Sequence, residues 1–189
     1  MSGPKLVAGL GNPGETYRAT RHNLGFRVVE RLRVRLAAGA ECEECGARVS
    51  EAPGVVLARP QTYMNRSGWS VRCLVDLHGV APGDLLIVYD DIALPLGRLR
   101  ARARGSAGGH RGMESILESL RTEEVPRLRL GVAPAEGEAP GGDLADFVLS
   151  PFSAEESAAA EELVGRAADA VVLWLAEGVE PAMNRYNAT

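Results

Sequence analysis

The segment over residues 9–25, GLGNPGETYRATRHNLG, places polar side chains directly after a tight turn. An apolar run over residues 5–10 leads into Gly-Asn-Pro-Gly at residues 11–14, a combination that reverses the chain and lets backbone approach a ligand closely. Asn12, His22 and Asn23 supply polar groups that can move a proton or hold an oxyanion. A solvent-facing histidine in an ordinary turn fits the segment equally well. The segment is therefore a candidate site, and its residues alone do not distinguish a functional loop from an ordinary turn.

Two further polar segments follow apolar runs. Residues 60–68, PQTYMNRSG, place Met64 and Asn65 in a loop that we expect at the same sheet edge as Asn12. Residues 89–97, YDDIALPLG, follow the most apolar run of the chain. A carboxylate at the end of a buried strand can fix the tautomer of a histidine and stabilise its charged form, which makes Asp90 the candidate partner. Asp90 and Asp91 are equally compatible with a turn before the proline.

Alternating strand and helix patterns must position these segments. Short apolar runs predict strands over 5–10, 47–51, 55–59, 85–89, 97–104 and 127–133. Apolar residues at helical spacing predict helices over 25–38, 67–78, 110–121, 153–176 and 181–187. Ser153 and Glu156 form a capping box at the start of the fourth helix. The pattern indicates an α/β fold, with a sheet covered by helices, in one domain spanning residues 1–189.

Positive charge is concentrated in one predicted strand. The formal net charge of −4 by itself argues against a nucleic-acid partner. No acidic residue occurs between Asp91 and Glu114, however, and four arginines alternate within that interval: Arg98, Arg100, Arg102 and Arg104. Period two places them on one face, where like charges repel unless an anion lies across them. The run favours an anion-binding face, and a solvated edge strand is the alternative.

Residues 105–112, GSAGGHRG, form a glycine-rich loop before a predicted helix. Backbone N–H groups at such a helix start can hold a phosphate. The loop lacks the lysine of a Walker A motif and the setting of a dinucleotide fingerprint, so a general nucleotide-binding domain is a weak hypothesis.

Cys42 and Cys45 form a C-x-x-C pair, which raises a zinc or redox hypothesis. No histidine lies at a spacing that completes a four-ligand site, and the neighbouring glutamates favour the protonated thiol. We therefore expect neither a metal nor a redox function for this pair. The three cysteines of the chain fit a reducing compartment.

The chain has no apolar run near the roughly 20 residues that a membrane-spanning helix needs. The apolar run near the start of the chain is too short for a secretory signal. We expect a cytoplasmic protein with no membrane partner, and a monomer.

Taken together, four motifs resemble the bacterial peptidyl-tRNA hydrolase family in order and spacing. They are GLGNPG…YxxTRHNxG, PxTYMNxSG, YDDxxLPxG and GGHxGxxSI, and the match runs from about Leu6 to Asn184. The resemblance implies a single-domain α/β fold with a mixed, twisted β-sheet flanked by helices. It also implies hydrolysis of the ester between tRNA and a peptide, or an N-blocked aminoacyl group, which frees tRNA for reuse in translation. No metal and no cofactor are implied.

The same resemblance implies a catalytic set. His22 would be the general base that activates water, and Asp90 would orient it. Asn12 and Asn65 would position the substrate and stabilise the oxyanion, with backbone amides near Gly109 assisting.

The implied substrate contacts fall into two groups. Walls and contacts for the peptide and the terminal adenosine would come from Tyr17, Tyr63, Met64 and His110. A clamp on the tRNA 5′-phosphate would come from Arg100, Arg102 and Arg129, in agreement with the alternating arginines.

Two positions depart from the family pattern. Arg111 stands where an asparagine is common, and Ala93 stands where an aspartate is common. Arg111 stays among the substrate-binding candidates, as a possible phosphate contact. The rival hypotheses are a non-catalytic RNA-binding protein and a metal-dependent hydrolase that uses His22, Asp90 and His110. The composition of residues 134–143 is typical of a loop or a lid.

Overall fold

The computed structural model describes residues 3–134, 140 and 142–187. Within them one mixed sheet is covered on both faces by helices. The strands are β1 (Lys5–Gly9), β2 (Cys42–Glu44), β3 (Ala47–Ala52), β4 (Val55–Pro60), β5 (Leu85–Pro95), β6 (Leu99–Arg102) and β7 (Arg127–Ala133). The helices are α1 (Leu24–Arg35), α2 (Ser67–His78), α3 (Arg111–Leu120), α4 (Leu144–Val148), α5 (Ser157–Glu177) and α6 (Val179–Tyr186). In the described ranges, no helix combines the length and the apolar character needed to cross a membrane.

The strand order is β2-β3-β4-β1-β5-β7-β6. The central strands β4, β1, β5 and β7 are parallel, whereas β2 and β3 at one edge and β6 at the other are antiparallel to their neighbours. Parallel strands are buried on both faces, which explains their nearly continuous apolar sequences. The predicted fold class, a mixed sheet in a single α/β domain, is confirmed.

Alternation along β1 divides the apolar core in two. Val7 packs on the side of α1, α5 and α6, whereas Leu6 and Ala8 pack on the side of α2 and α3. Fully burying one such aliphatic side chain contributes about 1.5–3 kcal/mol relative to exposing it. The two cores therefore hold the parallel strands, and the loops at their carboxyl ends, in fixed positions.

Several element bounds differ from the prediction. The first helix ends at Arg35, because Ala37 adopts a left-handed conformation with φ of 48°. The fourth predicted helix begins at Ser157, although Ser153 and Glu156 exchange the hydrogen bonds of a capping box in the preceding turn. The predicted strand over 97–104 is reduced to β6, and the strand over 85–89 continues to Pro95. Strand β2 and helix α4 were not predicted.

Two expectations concern loops and thiols. Most of the segment at 134–143 lies outside the described residues, so its role as a lid stays a prediction. The expectation of three reduced cysteines is wrong in this structure. Cys45 and Cys73 form a disulfide between the β2–β3 turn and α2, and Cys42 is left as an exposed free thiol.

Candidate active site

The site forms where parallel strands β1 and β5 end side by side. Gly9 pairs with Val88, and the backbone N–H of Leu10 donates to the carbonyl of Val88 at 2.9 Å. The loop with Asn12 and the carboxylate of Asp90 therefore emerge at the same sheet edge. A cleft beyond the carboxyl ends of adjacent parallel strands is the usual ligand site of open α/β sheets.

His22 lies in a short 3₁₀ turn, Arg21–Asn23, that leads into α1. Its Nδ1 atom is 2.9 Å from both carboxylate oxygens of Asp90. Because an ionised carboxylate only accepts hydrogen bonds, Nδ1 carries the proton and donates. This leaves the lone pair of Nε2 as the basic atom of the ring, which is the arrangement that a general base requires.

His110 makes a second contact with Asp90. The backbone N–H of Met113 donates to Nδ1 of His110 at 3.2 Å, so Nδ1 is unprotonated. Nε2 then carries the hydrogen and donates to Oδ1 of Asp90 at 3.1 Å. The sequence analysis placed His110 as a substrate contact and, in the rival metal-dependent hypothesis, as a metal ligand. The structure adds that it helps to hold the carboxylate.

Asp90 is ionised and buried, with 1% of its surface exposed. Burial by itself would raise the pKa of this carboxyl group, but the adjacent His22 and His110 outweigh that effect and lower the pKa well below its usual range. A carboxylate that stays negative at neutral pH stabilises the positive charge that forms on His22 when that ring takes up a proton.

Asn12 is fixed by hydrogen bonds on two sides. Its Oδ1 accepts the backbone N–H of Met64 at 2.8 Å, and its backbone N–H donates to Oδ1 of Asn23 at 2.8 Å. Nδ2 of Asn23 in turn donates to the carbonyl of Asn12 at 2.9 Å. With its oxygen committed, the Asn12 carboxamide presents only the N–H donors of Nδ2. A fixed donor is what a developing oxyanion needs.

A cavity of about 590 Å³ brings these groups together. Nine of the predicted site residues line it: Asn12, His22, Tyr63, Met64, Asn65, Asp90, Gly109, His110 and Arg111. Tyr17 is not among the lining residues; its ring meets that of Tyr63 edge to face, with centroids 6.5 Å apart. The lining combines polar groups at one point with apolar walls, as expected of a site for an extended substrate.

The peptidyl-tRNA hydrolase family model matches residues 6–189. The chain belongs to this family. A peptidyl-tRNA hydrolase of Chloroflexus aurantiacus (strain ATCC 29366 / DSM 635 / J-10-fl) is 48% identical over 188 residues, which cover 96% of this chain and 98% of the relative. Another from Methylacidiphilum infernorum (isolate V4) is 44% identical over 185 residues, with 97% of each chain covered. The crystal structure of peptidyl-tRNA hydrolase from Acinetobacter baumannii aligns with a TM-score of 0.88 at 32% identity, over 100% of this chain and 96% of that chain.

Two of the arginines expected to bind phosphate in this peptidyl-tRNA hydrolase family member, Arg100 and Arg129, lie near the edge of the cavity. Arg100 on β6 and Arg129 on β7 are direct cross-strand neighbours, and Leu99 and Leu130, the next such pair along the strands, pack in the core of the opposite face. Nε of Arg129 donates to Asp91, a lining residue, at 2.5 Å. Arg100 and Arg129 therefore form a basic surface next to Asp91, at the rim of the cavity.

The anion-binding face is smaller than the sequence predicted. Arg104 lies beyond the end of β6 and pairs with Glu124 at 3.0 Å, and Arg129 pairs with Asp91. Arg104, in the segment free of acidic residues, thus meets a carboxylate from another segment in space. Arg100 is exposed and Arg102 is half-buried on the same edge strand.

Residues that the sequence analysis did not assign support His22. Arg21 is buried and binds the segment before α5: its NH1 donates to the carbonyl of Pro151 at 2.5 Å, and its NH2 to Glu156 at 2.5 Å. Asn23 was considered for an oxyanion contact, but its carboxamide is occupied by the backbone of Asn12. Arg21 and Asn23 therefore position the residue between them. The only sign of this positioning role in the sequence was that two polar residues flank the candidate base.

Helix α4 supplies an apolar wall that the sequence analysis also missed. Leu144, Val148 and Leu149 line the cavity. The helix is only five residues long, and its periodicity is too short to predict.

Within the part of the chain that the structure describes, two groups of side chains bring together atoms that are able to bind a metal ion. In the first, ligand atoms of His22, Asp90 and His110 lie within 4.8 Å of one another. The hydrogen bond from Met113 leaves the proton of His110 on Nε2, the atom that faces Asp90, so hydrogen bonds account for this arrangement. The second group contains Glu44, Glu51 and His78. The nearby thiol of Cys42 has a raised pKa, owing to desolvation and then to the charge of Glu44, as its acidic neighbours predicted.

Proposed function

We propose that His22 is the general base with which this member of the peptidyl-tRNA hydrolase family hydrolyses peptidyl-tRNA. The activity is the cleavage of the ester between tRNA and a peptide or N-blocked aminoacyl group. The observation that carries the residue assignment is the pair of 2.9 Å contacts between Nδ1 of His22 and Asp90, which leaves Nε2 to take a proton from water.

In this mechanism water attacks the ester carbonyl while Nε2 of His22 removes its proton. The carbonyl oxygen becomes an oxyanion, and Nδ2 of Asn12 donates to it, with Asn65 and the backbone near Gly109 as further donors. His22 then returns the proton to the 3′-oxygen of the leaving ribose. A general base contributes about 10²–10⁴-fold to the rate, and one oxyanion donor about 10²–10³-fold.

The nucleic acid is bound by charge and shape outside the reacting centre. Arg100 and Arg129, with Arg102 beside them, are the groups we assign to the tRNA 5′-phosphate. Phosphate contacts of this kind set position and register without reading bases, so the enzyme would accept many tRNAs. Arg111 lines the cavity at the start of α3, where a cation can meet the acceptor end. We further propose that the protein acts as a cytoplasmic monomer.

The direct test is the release of free tRNA from N-acetyl-aminoacyl-tRNA by the purified protein, with and without EDTA. Turnover that persists in EDTA supports the metal-independent mechanism. Turnover that EDTA abolishes would support the rival metal-dependent hydrolase at His22, Asp90 and His110. Binding of tRNA without any turnover would support the rival RNA-binding protein.

A further inference from the structure

Four side chains with metal-binding atoms meet on one face of the edge hairpin, away from the catalytic cavity. In the antiparallel pair β2–β3, Cys42 is opposite Val49 and Glu44 is opposite Ala47. The side chains of these two pairs therefore lie on the same face of the hairpin. Glu51, two residues after Val49, shares that face. The imidazole of His78, the last residue of α2, reaches the hairpin from above, with Nε2 2.9 Å from Oε2 of Glu44.

The separations within this group suit a single ion. One ligand atom each from Glu44, Glu51 and His78 lies within 4.8 Å of the others. Sγ of Cys42 lies 3.7 Å from Oε1 of Glu44. Ligands about 2.0–2.3 Å from a tetrahedral ion are roughly 3.3–3.8 Å apart, so Glu44, Glu51 and His78 are close to the separation of three ligands of one ion, and the exposed Cys42 would complete the set by rotating its side chain toward them.

The local charge also requires a cation. The carboxylates of Glu44 and Glu51 approach each other on this face, and His78 is the only ion-pair partner that either has among the described residues. The nearest arginine of the hairpin, Arg48, is opposite Glu43 and so points to the other face, where it pairs with Glu41 at 3.5 Å. Two negative charges this close repel each other, and a bound cation relieves that repulsion.

From this we propose that Cys42, Glu44, Glu51 and His78 form a binding site for a zinc ion. Sulfur and imidazole donors select zinc over magnesium and calcium, and two carboxylates complete a four-ligand set. Zinc binding displaces the proton of the Cys42 thiol. When His78 is neutral beforehand, one proton is therefore released for each ion bound. The sequence analysis rejected a site at the C-x-x-C pair because no histidine had the right spacing; the fold brings one from 36 residues further along the chain.

The proposed zinc site stabilises the fold and takes no part in ester hydrolysis. Helix α2 has 12 residues, so its ends are about 16–18 Å apart. Its first turn follows the loop of Met64 and Asn65, and His78 is at its other end. The ion would tie that end to the hairpin, which the Cys45–Cys73 disulfide joins to the middle of the same helix.

The test is a titration with Zn²⁺ and, as a spectroscopic probe, Co²⁺. It uses the folded Cys45→Ser/Cys73→Ser protein, in which Cys42 is the only thiol, and is repeated on the wild type with its disulfide intact. Glu44→Gln, Glu51→Gln and His78→Gln are compared with His22→Ala, which removes a ligand of the other group. Circular dichroism of the metal-free proteins shows whether each variant is folded.

We expect the protein to bind one Zn²⁺ through the hairpin residues and to melt at a higher temperature when it does. With Co²⁺ we expect a thiolate-to-cobalt absorption band that disappears in Cys42→Ser. Loss of one ligand should weaken zinc binding roughly tenfold or more, whereas His22→Ala should leave this affinity unchanged. Equal affinity in folded Glu44→Gln and His78→Gln would overturn the proposal. So would loss of binding in His22→Ala alone, binding only through Cys45 and Cys73, or equal competition by Mg²⁺.

Discussion

Both carboxylate oxygens of Asp90 lie 2.9 Å from Nδ1 of His22. This contact fixes the tautomer of the ring and directs its basic nitrogen away from the carboxylate. In the proposed mechanism the buried negative charge also stabilises the imidazolium that forms when His22 takes a proton from water. The assigned chemistry depends on this pair, and the predictions below begin with it.

Asp90→Asn should lower kcat by about 10²–10⁴-fold, because a neutral amide cannot stabilise the charged ring and can donate to Nδ1, which would protonate the wrong nitrogen. Single-turnover hydrolysis of N-acetyl-aminoacyl-tRNA measures the effect. Asp91→Asn is the matched control, since the carboxylate of Asp91 binds Arg129 rather than the ring of His22. Equal losses in the two variants would contradict the assignment.

The stability of the protein should depend on the charge of Asp90 in acid. Because the folded-state pKa of Asp90 is lower than the value of about 3.9 in an unfolded chain, the unfolded state takes up the proton first as the pH falls. The stabilisation is complete above that unfolded pKa and is lost progressively below it. Urea unfolding between pH 3 and pH 7 should therefore show wild type losing free energy of unfolding relative to Asp90→Asn below about pH 4. A relative gain by wild type in acid would be inconsistent with a lowered pKa.

Asn12→Asp should separate structure from catalysis. An aspartate keeps the oxygen that accepts the N–H of Met64, so the loop should hold its position. It replaces the N–H donor with a negative oxygen, which should lower kcat by about 10²–10³-fold. Asn12→Ala removes both functions and should also lower the melting temperature. If Asn12→Asp retains full kcat, Asn12 is not the oxyanion donor.

Arg100→Gln should weaken tRNA binding and make it less dependent on salt. Removing one phosphate contact reduces the slope of log affinity against log salt by about 0.7–0.9. Arg104→Gln is the control, because Arg104 is already paired with Glu124. Fluorescence titrations of tRNA at several salt concentrations measure both slopes. A phosphate clamp at Arg100 is excluded if the two variants behave alike.

The contact between His22 and Asp90 was predictable because both residues follow apolar runs. Parallel neighbours end at the same sheet edge, so a polar segment after β1 and a carboxylate near the end of the buried part of β5 must meet there. The run LLIVY therefore predicted the position of Asp90, although the strand itself continues to Pro95.

Other contacts depend on packing that no local pattern records. His110 reaches Asp90 only because Gly112 lets α3 approach Met64: a Cβ atom at Gly112 would lie 2.5 Å from the sulfur of Met64. Similarly, Arg104 meets Glu124 and His78 meets Glu44 through turns and helix ends whose directions are set by the whole sheet. Spacing along the chain therefore predicted that His22 and Asp90 meet, but it overstated the free positive charge and missed the second cluster of metal-binding side chains.

The most direct test of the mechanism measures turnover and tRNA affinity together in wild type and His22→Ala. We predict a fall in the rate of ester hydrolysis of about 10²–10⁴-fold in protein that circular dichroism shows to be folded, with a dissociation constant for tRNA close to that of wild type. Hydrolysis by folded His22→Ala at a rate near that of wild type would contradict the assignment of His22 as the base.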